Sequence, residues 1–365
     1  APVMGPLLGG WITDNLSWPW IFYINLPVGL GAAFVTWSIF RHRESVTRKL
    51  PIDSIGLGLL VVWVGALQIM LDKGHELDWF HSSEMVTLAL VALVGLVAFL
   101  IRELTEEHPV VDLTLFKLRN FWAGVLALSV GYGLFFGNVV LLPLWLQQFM
   151  GYTATQAGMI LAPVGALALV LSPLVGKNIG RVDPRRFAAF SFLVFAVVLW
   201  MRSNFNTQAD FGTILLPTLI QGVAMAFFFI PLVTMTLSGI APERIAAASG
   251  LSNFVRITAG SFGTSIATTI WQDRSAMHHA QISEYVNRGN GAAMQTLSAL
   301  TESGLTPSQA LAVVDRLATQ QAYMLAVDDV FFASSLVFLA LIPLVYLTRH
   351  GKASGSSADA PAGAH

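Results

Sequence analysis

The sequence predicts an all-α integral membrane protein, and three observations carry that reading. The 365 residues are 55% hydrophobic and only 11% charged, against roughly 25% charged in an average soluble domain. Charge-free stretches reach the length needed to cross a bilayer, about 20 predominantly apolar residues. Glycines and prolines sit inside those apolar runs, which is usual for transmembrane helices and unusual for soluble ones. The net charge of −1 gives no sign of a nucleic-acid partner. With no cysteine, disulfides, thiolate metal sites and cysteine nucleophiles are excluded.

The chain opens inside an apolar segment, Ala1 to about Gly10, that reads as half a helix. Residue 1 is not Met and begins no signal peptide, so the expectation is a fragment of a longer chain. Stretches free of Asp, Glu, Lys and Arg then run 15–40, 54–71, 85–101, 120–176, 187–201, 211–242, 257–272 and 330–348. The stretch 120–176 holds two helices hinged near Met150-Gly151-Tyr152-Thr153. The one at 257–272 extends back through Arg256 to about Ala246. That makes nine full transmembrane helices plus one partial. The span 187–201 is short, and Arg202 is expected to snorkel and lengthen it.

Orientation follows from the Lys/Arg bias of the connections. One alternate set holds fourteen of the 20, including Arg41, Arg185, Arg244 and Lys352; the other holds five. The richer side is read as cytoplasmic, with the C-terminus inside and the tail 351–365 disordered. On the outer side a long loop, 271–327, separates the last two spans. Within it Thr306-Pro307 reads as a helix start, Thr as N-cap and Pro at the first helical position, opening an amphipathic surface helix. The loop is either a solvated cap or a docking surface for a periplasmic partner. His278 and His279 in it are adjacent rather than spaced i, i+4, so they read as solvated histidines, not metal ligands.

The most specific local pattern is Gly5-Pro6-Leu7-Leu8-Gly9-Gly10. Gly5, Gly9 and Gly10 strip side chains from a helix face and admit a neighbouring backbone, while Pro6 kinks the helix. Followed by Trp20-Ile21-Phe22-Tyr23-Ile24-Asn25-Leu26-Pro27, it resembles the fifth-helix antiporter signature and sixth helix of the major facilitator superfamily. Asp53-Ser54-Ile55-Gly56 then opens an extra helix pair, and Gly176-Lys177-Asn178-Ile179-Gly180-Arg181 is similar to a degenerate cytoplasmic-loop signature. These features resemble the fourteen-helix drug:proton antiporter branch, and among it the EmrB-type multidrug exporters. That likeness rests on Leu77-Asp78-Trp79-Phe80, on Ser249 to Asn253 with Arg256, and on Met277 to Gln281. The resemblance implies export of hydrophobic drugs in exchange for protons across the bacterial inner membrane, without enzymatic activity or cofactor. It also implies an EmrA-like periplasmic adaptor and an outer-membrane channel as partners. The expected organisation is 1–40 as the end of an N-terminal bundle, 41–119 as the extra pair and linker, and 120–350 as the C-terminal six-helix bundle.

None of the 21 carboxylates is read as lying in the middle of a span; all are placed in loops or at span ends, although proton coupling usually needs a membrane-buried acid. The resemblance assigns that acid, and an arginine, to helices that precede Ala1. Arg256 is the ionisable residue placed well inside a span, where burial costs at least about 2.5 kcal/mol. It is either clamped structurally or lines and gates the cavity, with Asn253 one turn away. Other candidate cavity residues are Asn138, Gln147, Gln148 and Gln221, each open to the simpler reading of an interhelical hydrogen bond. Phe135, Phe136, Met225, Phe227, Phe228 and Phe229 supply adaptable apolar surface for varied substrates or for plain packing. Two competing functions stand beside drug export: a fatty-acid or other amphipathic-acid exporter, and a membrane-embedded lipid-modifying enzyme. An orphan sensor or assembly factor is argued against by the signature.

Overall fold

The computed structural model describes residues 4–41, 53–74, 76–107, 109–287 and 289–348. The tail 351–365 and Lys352 lie outside the described residues. In chain order the helices are α1 (Met4–Asn15), α2 (Trp20–Tyr23), α3 (Asn25–Phe40), α4 (Ser54–Lys73), α5 (Ser83–Thr105), α6 (Arg119–Phe149) and α7 (Ala154–Asn178). They continue with α8 (Pro184–Arg202), α9 (Phe211–Ala226), α10 (Phe229–Leu237), α11 (Ile245–Tyr285), α12 (Gly291–Glu302) and α13 (Pro307–Tyr346). No strand forms among the described residues.

Among the described residues, eight helical segments are long and apolar enough to cross a membrane, not the nine expected. The difference is α11. Its 41 residues have ample length, but Ser, Thr, Gly and Arg256 dilute its apolar content. Those same small residues place it at the centre of the bundle, packed along α6 and α13. Gly133 and Gly137 of α6 face Ala259, Gly263 and Ala267 of α11, and a methyl group added at Gly137 would lie 2.8 Å from the Gly263 carbonyl oxygen. Helices that close gain van der Waals contact along their backbones, the main attraction left where lipid is as apolar as the side chains. Around this pair lies an aromatic core, in which Phe195 and Phe338 stack with ring centroids 4.8 Å apart.

The hinge between α6 and α7 forms where the sequence placed it. Gly151 takes a positive φ of 71°, which glycine adopts without strain. Thr153 then caps α7 in a capping box with Gln156. The stretch 211–242, expected as one helix, breaks into α9 and α10 at Phe227–Phe228. Pro231 explains the break, because its ring clashes with the carbonyl four residues back and donates no N–H.

Arg202 does not snorkel. It is fully buried, and its Nη2 donates to Thr218 Oγ1 at 3.0 Å and to Gln221 Oε1 at 2.6 Å. Helical side chains slope back toward the helix N-terminus, which lays this last residue of α8 against α9 and beneath the Phe331 ring, 5.9 Å away.

The connection 271–327 is helical rather than a loop. α11 runs on to Tyr285, α12 follows, and α13 begins at Pro307 behind a Thr306–Gln309 capping box. The expected surface helix is thus the first half of α13, continuous with the last span because no proline or glycine interrupts it before Pro343. His278 is consequently not solvated: it lies 2.8 Å from Asp329, which also binds Arg274 at 2.6 Å. His279 approaches Asp315 at 3.2 Å.

The helix pair α4–α5 is fastened at one end by Asp53, which caps α4 and receives Arg102 at 3.0 and 3.1 Å. The Arg102 guanidinium holds the Asp53 carboxyl below the usual carboxylate range, with help from the Gly56 N–H. The following linker is anchored on the C-terminal helices: Leu115 is fully buried among Phe121, Ile240 and Leu251, and Asp112 pairs with Arg244 at 2.6 Å.

Candidate functional site

The signature helix α1 lies directly on α7. The contact face is Pro6, Gly10 and Asp14, spaced by four residues and so stacked along one side of the helix. A methyl group at Gly10 would come within 2.9 Å of the Thr155 Cα, and one at Gly158 would collide with the Pro6 carbonyl. At the end of this contact the Asp14 carboxylate accepts the backbone N–H groups of Ala154 at 3.2 Å and Thr155 at 2.7 Å. Gly5 and Gly9 were expected on the close face, yet a methyl group added at either would meet no atom of the described chain within 4 Å. They sit about 100° around the helix from it.

Pro6 of α1 borders a partly open cavity of about 390 Å³ whose other walls come from α6, α7, α9 and α10. Its walls are Pro6, Phe135, Val139, Leu161, Val164, Gly165, Ala168, Leu169, Ser172, Met225 and Phe229. The volume lies within the range of small-molecule pockets, roughly 300–1,000 Å³. Ser172 is the polar side chain among these residues, and its hydroxyl already donates to the Ala168 carbonyl at 2.6 Å. Behind the Phe229 ring stands Arg256, its Cζ 5.3 Å from that centroid and 4.8 Å from that of Tyr132.

The match of the Major Facilitator Superfamily profile to residues 1–264 decides what kind of bundle this is. The chain belongs to the major facilitator superfamily. It is 47% identical to the multidrug export protein EmrB of Escherichia coli K12 over 350 residues, covering 96% of this chain and 68% of that protein. It is 44% identical to the fatty acid resistance protein FarB of Neisseria gonorrhoeae, covering 96% of this chain and 69% of that protein. EmrB of Haemophilus influenzae is 43% identical over the same 96% of this chain.

On this facilitator bundle the candidate residues separate. Phe135, Met225 and Phe229 line the cavity, whereas Phe136 and Phe228, each one residue along, do not. For Phe136 the reason is a step of one residue along α6, which turns the helix by about 100°, whereas Phe228 lies in the break between α9 and α10. Phe136 stacks on Tyr132 at 4.5 Å and borders a second pocket beside Asp72 and Ser265. Phe228 is buried against Phe192, Phe195 and Phe229, and Phe227 packs on Phe187 and Phe190. Asn138 is buried and donates to Ser334 Oγ at 3.1 Å; Gln221 is buried and holds Arg202. Gln147 and Gln148 are exposed at the end of α6, Gln147 donating to the Pro143 carbonyl. Arg256 donates to Asn253 Oδ1, so its neighbours among the described residues are an amide and two aromatic faces rather than an acid.

Two carboxylates escape a reading of the sequence. Asp14 stands four residues after Gly10, and that spacing is the signal that could have placed it on the contact face. Asp328 looks like a loop residue, yet it sits within the 40-residue α13 with one carboxylate oxygen buried and without a hydrogen-bond partner among the described residues. Nothing in the sequence marks that, since it depends on α13 being unbroken.

Proposed function

We propose that this facilitator chain forms the larger part of a proton-coupled exporter of hydrophobic drugs and toxic compounds across the bacterial inner membrane. The observation that carries the proposal is the apolar cavity where the signature helix α1 meets α6, α7, α9 and α10. A binding site built of Phe135, Phe229, Met225 and aliphatic side chains gains affinity from buried area and imposes few directional demands. That suits a broad set of hydrophobic compounds, and the names of the EmrB relatives support it. Filling the cavity tests it: Ala168→Trp in the intact transporter should cut efflux of hydrophobic dyes at least about tenfold while membrane insertion stays normal. Undiminished efflux would rule the cavity out as the substrate site.

A second reading, export of amphipathic acids, is favoured by Arg256 behind the Phe229 wall and by the FarB relative. A partly desolvated guanidinium offers charge-assisted bonds worth about 1.5–3 kcal/mol to an anion. Under that reading Arg256→Gln lowers efflux of fatty acids at least about tenfold and spares neutral compounds. An equal loss of both classes in reconstituted vesicles would return Arg256 to a structural role. The lipid-modifying enzyme loses support, since the relatives and the fold are those of transporters.

The Lys/Arg bias supports a C-terminus in the cytoplasm and the α6–α7 hinge on the outer side. The helical extension of α11, α12 and the start of α13 then faces the periplasm, a position suited to an EmrA-like adaptor feeding an outer-membrane channel. Because the chain has no native cysteine, single cysteines at Arg185 and Gln281 report sidedness cleanly. An impermeant thiol reagent added outside should label position 281 and leave 185 untouched; the reverse pattern would invert the topology.

A further inference from the structure

We propose that Asp14 is the latch that holds the cavity closed at the α6–α7 hinge end, and that its release from the first turn of α7 opens the cavity on that side. The proposal rests on reading the cavity as the transport site. Three observations carry it. First, Asp14 completes the cap of a helix to which it does not belong. The first turn of α7 leaves its N–H donors unpaired within the helix, and each finds a partner. Gln156 N–H goes to Thr153 Oγ1 at 3.2 Å, and the Ala154 and Thr155 N–H groups go to Asp14. A negative charge there also meets the positive end of the α7 dipole.

Second, the latch crowns a contact that leads to the cavity. Gly10 and Gly158 bring the two backbones together below Asp14, and Pro6, two turns along the same face, borders the cavity. Parting α1 from α7 at the Asp14 end would therefore expose that cavity. Third, the contact holds no other ionisable side chain: α1 carries none besides Asp14, and residues 150–157 of α7 and its hinge carry Tyr152 alone. Hydrogen bonds from Thr155 hold the Asp14 carboxyl below its ordinary range. A depressed value keeps the capping interaction in place at neutral pH and loses it only in acid.

Capping interactions of this kind shift an equilibrium by about tenfold. The test uses the cysteine-free transporter carrying Leu161→Cys in the cavity wall and an impermeant maleimide added from the hinge side. Asp14→Asn removes the charge and one acceptor, and should raise the labelling rate roughly tenfold. Asp14→Glu should restore part of the protection. Ala154→Pro, which deletes one donor from the opposite partner, should raise labelling by a smaller factor. Proline is favoured at that first helical position, and Thr153 before it is already extended, with ψ 163°. Unchanged labelling in both Asp14→Asn and Ala154→Pro, with wild-type thermal stability, would overturn the latch. Efflux is read separately. Faster labelling in a protein that moves no hydrophobic compound keeps the latch and rejects the exporter reading.

Discussion

Gly10→Leu is expected to reduce efflux to background while the protein still inserts and accumulates. At Gly10 the neighbour is backbone: the Ala154 carbonyl and the Thr155 Cα of α7, the latter 2.9 Å from where a first side-chain carbon would sit. Backbone cannot swing aside as a side chain does, so α1 must move away as a unit. Overpacking a tight contact costs about 1–3 kcal/mol, and here the strain falls on the surface that closes the cavity. Gly9→Leu is the internal control, since no atom of the described chain stands within 4 Å of that position. It should leave the α1–α7 contact intact. Efflux normalised to folded protein, with crosslinking of cysteines placed on α1 and α7, separates the two. Wild-type efflux from a normally folded Gly10→Leu protein would mean that close packing here is dispensable.

Gln221→Leu is expected to destabilise the bundle by about 2–3 kcal/mol, the scale of a buried hydrogen bond to a charged group whose loss leaves the charge unpaired. Arg202 is fully buried, and its partners are neutral: Thr218 Oγ1, Gln221 Oε1 and the face of Phe331. Removing the 2.6 Å acceptor leaves a guanidinium with one hydroxyl to offset its lost hydration. Arg202→Met in the same background should recover much of the stability, because replacing a buried charge by an apolar chain of similar length removes the desolvation cost. Thermal unfolding in detergent of the single and double variants gives the comparison. A Gln221→Leu protein with unchanged stability and altered substrate range would place Gln221 in substrate binding instead.

The class of this protein and most of its helices were legible in the sequence because they depend on local quantities. A bilayer demands runs of about 20 apolar residues, and the scarcity of charge between 54–71 or 120–176 meets that demand without reference to any neighbour. Caps are equally local: Thr306 reads as a helix start and forms a capping box. Membership of the facilitator superfamily was likewise legible in runs of consecutive residues. What the tertiary structure alone decided is which way each side chain faces. Helical positions one apart diverge by about 100°, so Phe135 lines the cavity while Phe136 does not, and the break at Phe228 sets it apart from Phe229. Arg202 at a helix end could reach water or turn inward, and the packing of α9 and α13 against α8 turned it inward. The spacing from Gly10 could place Asp14 on a helix face, but not its partners, which lie 140 and 141 residues away on a helix that it caps across the interface.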